Sequence, residues 1–252
     1  MTFYFGTNVK MHHTPTESKT FVTSLQQHAC PSDVQRFYIP PFTSLGGLAD
    51  ETHASDIWIG AQNMHQADAG EFTGEIAAPM LTALNVDMVL LGHAERRQLF
   101  GETDQLLAQK ITTALRHGLR PLLCVGENAA QRDAGEQVSV IREQLNTALM
   151  HAGNGHAILL AYEPVWAIGE SGRPATVDDV LQPLRFIRDW LDSRFGEVHV
   201  PLLYGGSVNP NNCGGYAAID GVDGVFVGRA ARTPEGFYTT LTAAYASWKN
   251  NR

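Results

Sequence analysis

Phe3-Tyr4-Phe5-Gly6-Thr7-Asn8-Val9-Lys10 is the first apolar run of the chain, and the residues that close it decide between two architectures. Short runs of the same kind recur at helix-sized intervals. The expected strands are Phe3–Gly6, Phe37–Ile39, Ile57–Gln62, Met88–Leu91, Leu122–Val125, Ile158–Tyr162, Leu202–Tyr204 and Gly224–Val227. Most are rich in Val, Ile, Leu or aromatic residues and alternate little, the pattern of strands buried on both faces of a parallel sheet. Between them, Glu102–His117, Val138–Met150 and Val177–Phe195 carry apolar residues at helical spacing. Thr176 is placed to cap the last, with Asp178 and Asp179 in its first turn. Eight strands alternating with helices fit either a doubly wound open sheet or a closed barrel. A dinucleotide-binding open sheet carries G-x-G-x-x-G after its first strand, and Gly6-Thr7-Asn8-Val9-Lys10 lacks it. The expected fold is an α/β (β/α)₈ barrel, eight parallel strands inside outer helices. No linker or low-complexity stretch interrupts residues 1–252, so one domain is expected.

Composition narrows the function classes. Apolar residues make up 44% of the chain, enough for a large core, and charged residues only 17%, too few for a disordered chain. The net charge of −8 argues against nucleic-acid binding, which needs clustered Lys and Arg, and leaves room for a local site for a small anion. No apolar stretch is long enough to span a membrane, and Met1-Thr2-Phe3-Tyr4-Phe5 does not resemble a signal peptide. Cys30, Cys124 and Cys213 form no CxxC pair, which fits a reduced, cytoplasmic setting. The histidines show no HxxxH with a partner Glu, so no metal is expected. Ser207 lacks a G-x-S-x-G elbow, which disfavours serine hydrolysis.

In a barrel, the residues just beyond each strand converge on one face. Here they are Asn8 and Lys10, His93 and Glu95, Glu163, Gly205-Gly206-Ser207, and Gly228. Glu163 closes the run Ile158-Leu159-Leu160-Ala161-Tyr162 and precedes Pro164-Val165-Trp166. A carboxylate at the mouth of such a strand is partly desolvated and suits a general base, with Pro164 restraining its backbone and Trp166 supplying apolar cover. In isolation it would read as a solvated loop carboxylate. His93 follows Val89-Leu90-Leu91-Gly92. A helix starting after it would disfavour the imidazolium and leave a neutral ring to donate to a carbonyl oxygen; the plain alternative is a buried core histidine. Lys10 offers an ammonium to a phosphate or to growing negative charge, and Asn8 a donor. Gly205-Gly206-Ser207-Val208 and Val227-Gly228-Arg229-Ala230 suit a phosphate, because glycine admits backbone N–H groups to an anion and a following helix N-terminus adds favourable field. Pro164-Val165-Trp166-Ala167-Ile168 and the residues on to Thr176 form a candidate lid.

Taken in order, these pieces resemble the triosephosphate isomerase family. The resemblance runs from Gly6-Thr7-Asn8-Val9-Lys10-Met11 to Asp223-Gly224-Val225-Phe226-Val227-Gly228. Its most specific parts are Gly60-Ala61-Gln62-Asn63, Phe72-Thr73-Gly74-Glu75, Leu91-Gly92-His93-Ala94-Glu95-Arg96-Arg97, Phe100-Gly101-Glu102, Cys124-Val125-Gly126-Glu127, Tyr162-Glu163-Pro164-Val165-Trp166-Ala167-Ile168-Gly169 and Tyr204-Gly205-Gly206-Ser207-Val208. It implies a TIM barrel that interconverts dihydroxyacetone phosphate and glyceraldehyde 3-phosphate through a cis-enediolate, in glycolysis and gluconeogenesis. The Glu base with a neutral His electrophile is this family's own worked case. By resemblance, Glu163 shuttles the proton, His93 polarises the carbonyl, Lys10 and Asn8 stabilise the enediolate, and Glu95 pairs with Lys10 or Arg96. Gly169, Gly206, Ser207 and Gly228 supply phosphate contacts. The resemblance implies no cofactor, and a homodimer in which the Phe72-Thr73-Gly74 loop enters the partner's site beside Asn8.

The departures carry the second reading. Val9 replaces the family's aromatic residue and Ala94 its serine. The lid Gly169-Glu170-Ser171-Gly172-Arg173-Pro174 is one residue longer, Asn209-Pro210 differs from the common version, and Arg229 stands where a second glycine is usual. Arg229 either adds charge to the phosphate site or points outward. Together these features look like a paralogous branch acting on erythrulose (tetrulose) phosphates by the same mechanism. Triose phosphate stands first on sequence alone and tetrulose phosphate second. A catalytically silent barrel that binds a phosphometabolite is a third reading, motivated by Ala94 and Arg229. A Schiff-base aldolase is disfavoured, because no expected strand from the fifth to the eighth carries a lysine.

Overall fold

Eight strands pair in chain order and close on themselves: β1 (Phe3–Asn8), β2 (Val34–Ile39), β3 (Ile57–Ala61), β4 (Met88–Leu91), β5 (Arg120–Val125), β6 (Leu159–Tyr162), β7 (Leu202–Tyr204) and β8 (Gly224–Val227). All neighbours are parallel, and β1 returns to β8 with Tyr4 opposite Gly224 and Thr7 opposite Val227. The molecule is seen in a computed structural model that describes residues 1–52, 55–169 and 173–252.

Successive strand residues face opposite sides of the sheet. Phe37 and Ile39, Met88 and Leu90, Leu122 and Cys124, Leu159 and Ala161, Leu203 and Phe226 fill the centre of the barrel as a cluster of their own. Their neighbours, such as Tyr38, Val89, Leu123 and Val225, join the larger apolar shell under the helices. Burial on both faces is the reason the strands alternate so little.

The outer layer comprises α1 (Pro15–Gln27), α2 (Leu45–Thr52), α3 (Ala78–Thr82), α4 (Ala94–Phe100), α5 (Asp104–Arg116), α6 (Ala129–Asp133), α7 (Gln137–Ala148), α8 (Val177–Phe195), α9 (Cys213–Ala217) and α10 (Pro234–Asn250). Thr176 caps α8 as expected, exchanging bonds with Asp179 in a capping box. Among the described residues no helix is long and apolar enough to cross a membrane.

The boundaries differ where polar residues find partners that the sequence does not reveal. β2 begins at Val34, three residues early, because Arg36 lies buried inside it, bridging Asp56 at 2.7 Å and donating to the Leu25 carbonyl at 2.7 Å. The helix expected over 102–117 starts at Asp104 under a Thr103 cap. Glu102 instead turns inward to bond Lys110, Gly92 N–H and Arg96. β1 runs on to Asn8, so Asn8 is the last strand residue, on the same side as Tyr4 and Gly6 and facing the barrel mouth.

Candidate active site

A cavity of about 310 Å³ opens at the C-terminal ends of the strands. It gathers most of the residues singled out from the sequence: Asn8, Lys10, His93 and Glu163 at one end, and Gly169, Gly206, Ser207, Gly228 and Arg229 at the other, with Ala167 and Ile168 beside Gly169.

Glu163 follows β6 directly. Its N–H donates to the Val125 carbonyl at 2.8 Å, Gly205 N–H donates to the Tyr162 carbonyl at 2.8 Å, and Val165 N–H to the Glu127 carbonyl at 3.0 Å, so the backbone on both sides of Glu163 is tied to the neighbouring strands and the loop after β5. A Cβ on Gly126 would meet the Glu163 carbonyl oxygen at 1.9 Å, and one on Gly205 would stand 2.9 Å from Glu163 Cγ; both close approaches require glycine. The side chain is 3% exposed and its Oε2 has no hydrogen-bond partner. A dry carboxylate with an unpartnered oxygen, on a residue that lines a cavity, is suited to take a proton.

His93 faces it, with Nε2 3.8 Å from Glu163 Oε1. His93 is the N-cap of α4, and its Nδ1 accepts the Glu95 N–H at 3.3 Å. Glu95 Oε2 is at 3.7 Å, too far to bond that nitrogen. An Nδ1 that accepts leaves Nε2 as the N–H of a neutral ring, aimed into the cavity.

Lys10 sits in the left-handed region at φ 54°, uncommon for a residue with a side chain. The turn is held from its flanks. Lys10 N–H donates to Asn8 Oδ1 at 2.8 Å, and Gln62 Nε2 donates to the Lys10 carbonyl at 2.7 Å and to Asn8 Oδ1 at 3.3 Å. With Oδ1 occupied, the Asn8 amide keeps its N–H groups for the cavity. Lys10 Nζ bonds Glu95 Oε1 at 2.5 Å, which resolves the pairing left open by the sequence. Burial pushes the Glu95 carboxyl up, but the bond and charge of Lys10 outweigh it and hold Glu95 below its ordinary range.

Two expectations need correction. Trp166 does not cover Glu163: its Nε1 donates to Glu127 at 2.7 Å and its ring lies under Arg132 at 3.9 Å. Cys124 lies against Glu163, its thiol pushed well up by burial and by that carboxylate, and Phe226 lines the same cavity. Second, no long helix follows either phosphate loop. Ser207 leads through a loop to the five-residue α9, and Gly228 into a three-residue 3₁₀ turn, Arg229–Ala231. In the candidate lid, Ala167 and Ile168 line the cavity and Pro164, Val165 and Trp166 precede them. Of the rest of the lid, Glu170, Ser171 and Gly172 lie outside the described residues. Arg229 is exposed at the cavity rim.

Sequence reasoning gave no role to Gln62, Glu127 or Arg232. Gln62 and Glu127 lay inside motifs already quoted, and their neighbours supplied the only signal. Glu127 is buried and accepts from both Tyr162 (3.2 Å) and Trp166, anchoring the lid's first turn; burial raises its carboxyl despite these bonds.

A family model described as triosephosphate isomerase matches residues 3–244. Similar curated proteins include the L-erythrulose-1-phosphate isomerase of Rhizobium meliloti (strain 1021), 44% identical over 243 residues, covering 94% of this chain and 95% of the relative. The protein of that name from Rhizobium etli is 44% identical over 252 residues, covering 98% and 94%. That from Brucella abortus (strain 2308) is 41% identical over 254 residues, covering 95% of each.

Proposed function

The chain belongs to the triosephosphate isomerase family and is an isomerase of phosphorylated sugars, and from that premise we propose that its substrate is an erythrulose phosphate. The observation that carries this is the agreement of relatives 41–44% identical across nearly the whole chain, each named for L-erythrulose 1-phosphate. It reverses the order reached from sequence alone, which put triose phosphates first, and it sets aside the silent barrel.

The cavity's chemistry suits the reaction. Glu163 takes the proton from the hydroxyl-bearing carbon beside the ketone, C3 of erythrulose 1-phosphate. His93 Nε2–H donates to the carbonyl oxygen as it gains charge, and the Lys10 ammonium and the Asn8 amide stabilise the cis-enediolate. The C2 oxygen takes the His93 Nε2 proton, the C3 hydroxyl returns its own proton to that nitrogen, Glu163 delivers its proton to C2, the C3 oxygen keeps the new carbonyl, and the product is the 4-phosphate of the same skeleton. Backbone N–H groups around Gly169, Gly206, Ser207 and Gly228 hold the phosphate.

A homodimer and a cytoplasmic setting belong to the same reading. Met11, Phe72, Met80, Leu99 and Phe100 expose apolar side chains, with Phe72 at the tip of the loop expected to enter the partner. A tetrulose substrate leaves glycolysis and gluconeogenesis without support.

The test is a kinetic panel on the purified protein with dihydroxyacetone phosphate, glyceraldehyde 3-phosphate, L-erythrulose 1-phosphate and D-erythrulose 4-phosphate. A tetrulose kcat/KM at least about 100-fold above the triose value, roughly the discrimination one pocket contact achieves, is expected. Higher turnover of the trioses would return the first reading.

A further inference from the structure

The phosphate end of the cavity holds one more cation, outside every motif quoted above. Arg232 ends the 3₁₀ turn after β8 and lines the cavity with Ser207, Gly228 and Arg229. Residues three apart eclipse one another in such a turn, so Arg229 and Arg232 emerge on one side.

The side chain itself is unsatisfied. Arg232 is partly buried, and its Nε is fully buried with no hydrogen-bond partner. Elsewhere in the fold, arginines withdrawn from water hold carboxylates: Arg36 with Asp56, Arg97 with Asp104 and Arg132 with Asp179; Arg188, whose Nε is also unpartnered, holds Asp192 through a terminal nitrogen. A buried donor on a cation is costly to leave unpaired. Arg232 lines the cavity where, among the described residues, the other groups at this end are backbone N–H donors, the Ser207 hydroxyl, the Asn209 amide and a second arginine, an anion's surroundings.

We propose that Arg232 binds the substrate phosphate, its planar fork matching two oxygens of the dianion and completing from the β8 side a site whose other donors come from the loops after β6, β7 and β8. This rests on the proposed function only in taking the ligand to be a sugar phosphate; the phosphate group is common to triose and tetrulose substrates.

Inorganic phosphate is the probe, titrated calorimetrically into the full-length protein and used as a competitive inhibitor of turnover. Arg232→Met removes the charge and keeps the stem; Arg232→Lys keeps the charge without the fork. We expect Arg232→Met to weaken phosphate binding and raise KM by about 10- to 100-fold, the range of a charge-assisted hydrogen bond, with kcat changed less than about threefold. Arg232→Lys should recover part of the binding. Unchanged phosphate affinity in either folded variant overturns the proposal, as does a fall in thermal stability or kcat without a change in phosphate affinity. Where Arg232→Met does not fold, Arg232→Gln and Arg232→Lys carry the same comparison. Phosphate binding is read without turnover, so a protein that prefers trioses yet loses phosphate at Arg232→Met sinks the substrate assignment alone.

Discussion

Shortening Glu163 to aspartate withdraws the proposed base and leaves its charge. The Glu163 backbone is tied at 2.8 Å to the Val125 carbonyl and cannot follow the loss. Removing one methylene therefore pulls the carboxylate back by roughly one C–C bond, about 1.5 Å. Its Oε1 stands 3.8 Å from His93 Nε2, and the reacting carbons must fit between them. A misplacement of about 1 Å costs on the order of 100-fold, so kcat should fall about 100- to 1000-fold. KM and inorganic-phosphate affinity should hold within about threefold, because the base touches carbon and not phosphate. The vacated methylene costs about 1 kcal/mol of stability, too little to unfold the protein. The assay is steady-state turnover of L-erythrulose 1-phosphate together with wash-in of solvent deuterium, which reads proton abstraction directly. A folded Glu163→Asp enzyme with kcat within threefold of the original, or with undiminished deuterium wash-in, would refute the role of Glu163.

Gly205→Ala places a Cβ 2.9 Å from Glu163 Cγ and 3.3 Å from its Oε1. It should lower kcat about 10- to 100-fold while costing only about 1–3 kcal/mol in urea unfolding; full activity would mean the carboxylate is not held where it acts. Lys110→Met breaks a pair whose side chains are 4% and 1% exposed and leaves Glu102 to Arg96 and Gly92. A loss of about 3–5 kcal/mol is expected, and a urea midpoint that barely moves would argue against it. Glu127 gives a pH signature. Its native carboxyl is raised by burial above the ordinary 4.5, so the folded state holds that proton more tightly than the unfolded chain. Its contribution to stability is full below 4.5 and is lost as pH rises through the native value. Glu127→Gln should remove that downward slope from unfolding free energy measured against pH, and parallel profiles would contradict the assignment.

Much of the architecture could be read from local pattern, because strands buried on both faces leave a dense apolar signature and a missing glycine fingerprint excludes the main competitor. The site was legible for a related reason: strand ends of a barrel converge, so Asn8, Lys10, His93 and Glu163 needed only their positions in sequence to be brought together. Orientation was not legible. Trp166 stood next to the base in sequence, yet the 3₁₀ turn at Val165–Ala167 carries its indole to Glu127. Buried charges were hidden because their partners are distant or ambiguous. Arg36 broke an apolar run and shortened the expected strand, while Glu102 and Lys110 both fell inside one expected helix with nothing to mark them as partners. Arg232 fell just beyond the last motif, and only the short turn after β8 shows that it shares a wall with Gly228.

The backbone ladder around Glu163 has a further consequence. The residue belongs mechanically to the sheet, since Val125, Glu127 and Gly205 fix the chain before and after it, and the lid departs only once that fixation ends. Insertions or exchanges downstream of Ile168 are thus isolated from the position of the carboxylate. On the proposed assignment, the entrance can be recut for a longer sugar while the carboxylate keeps its place, so that which molecules are admitted and what is done to them are edited in separate stretches of the gene.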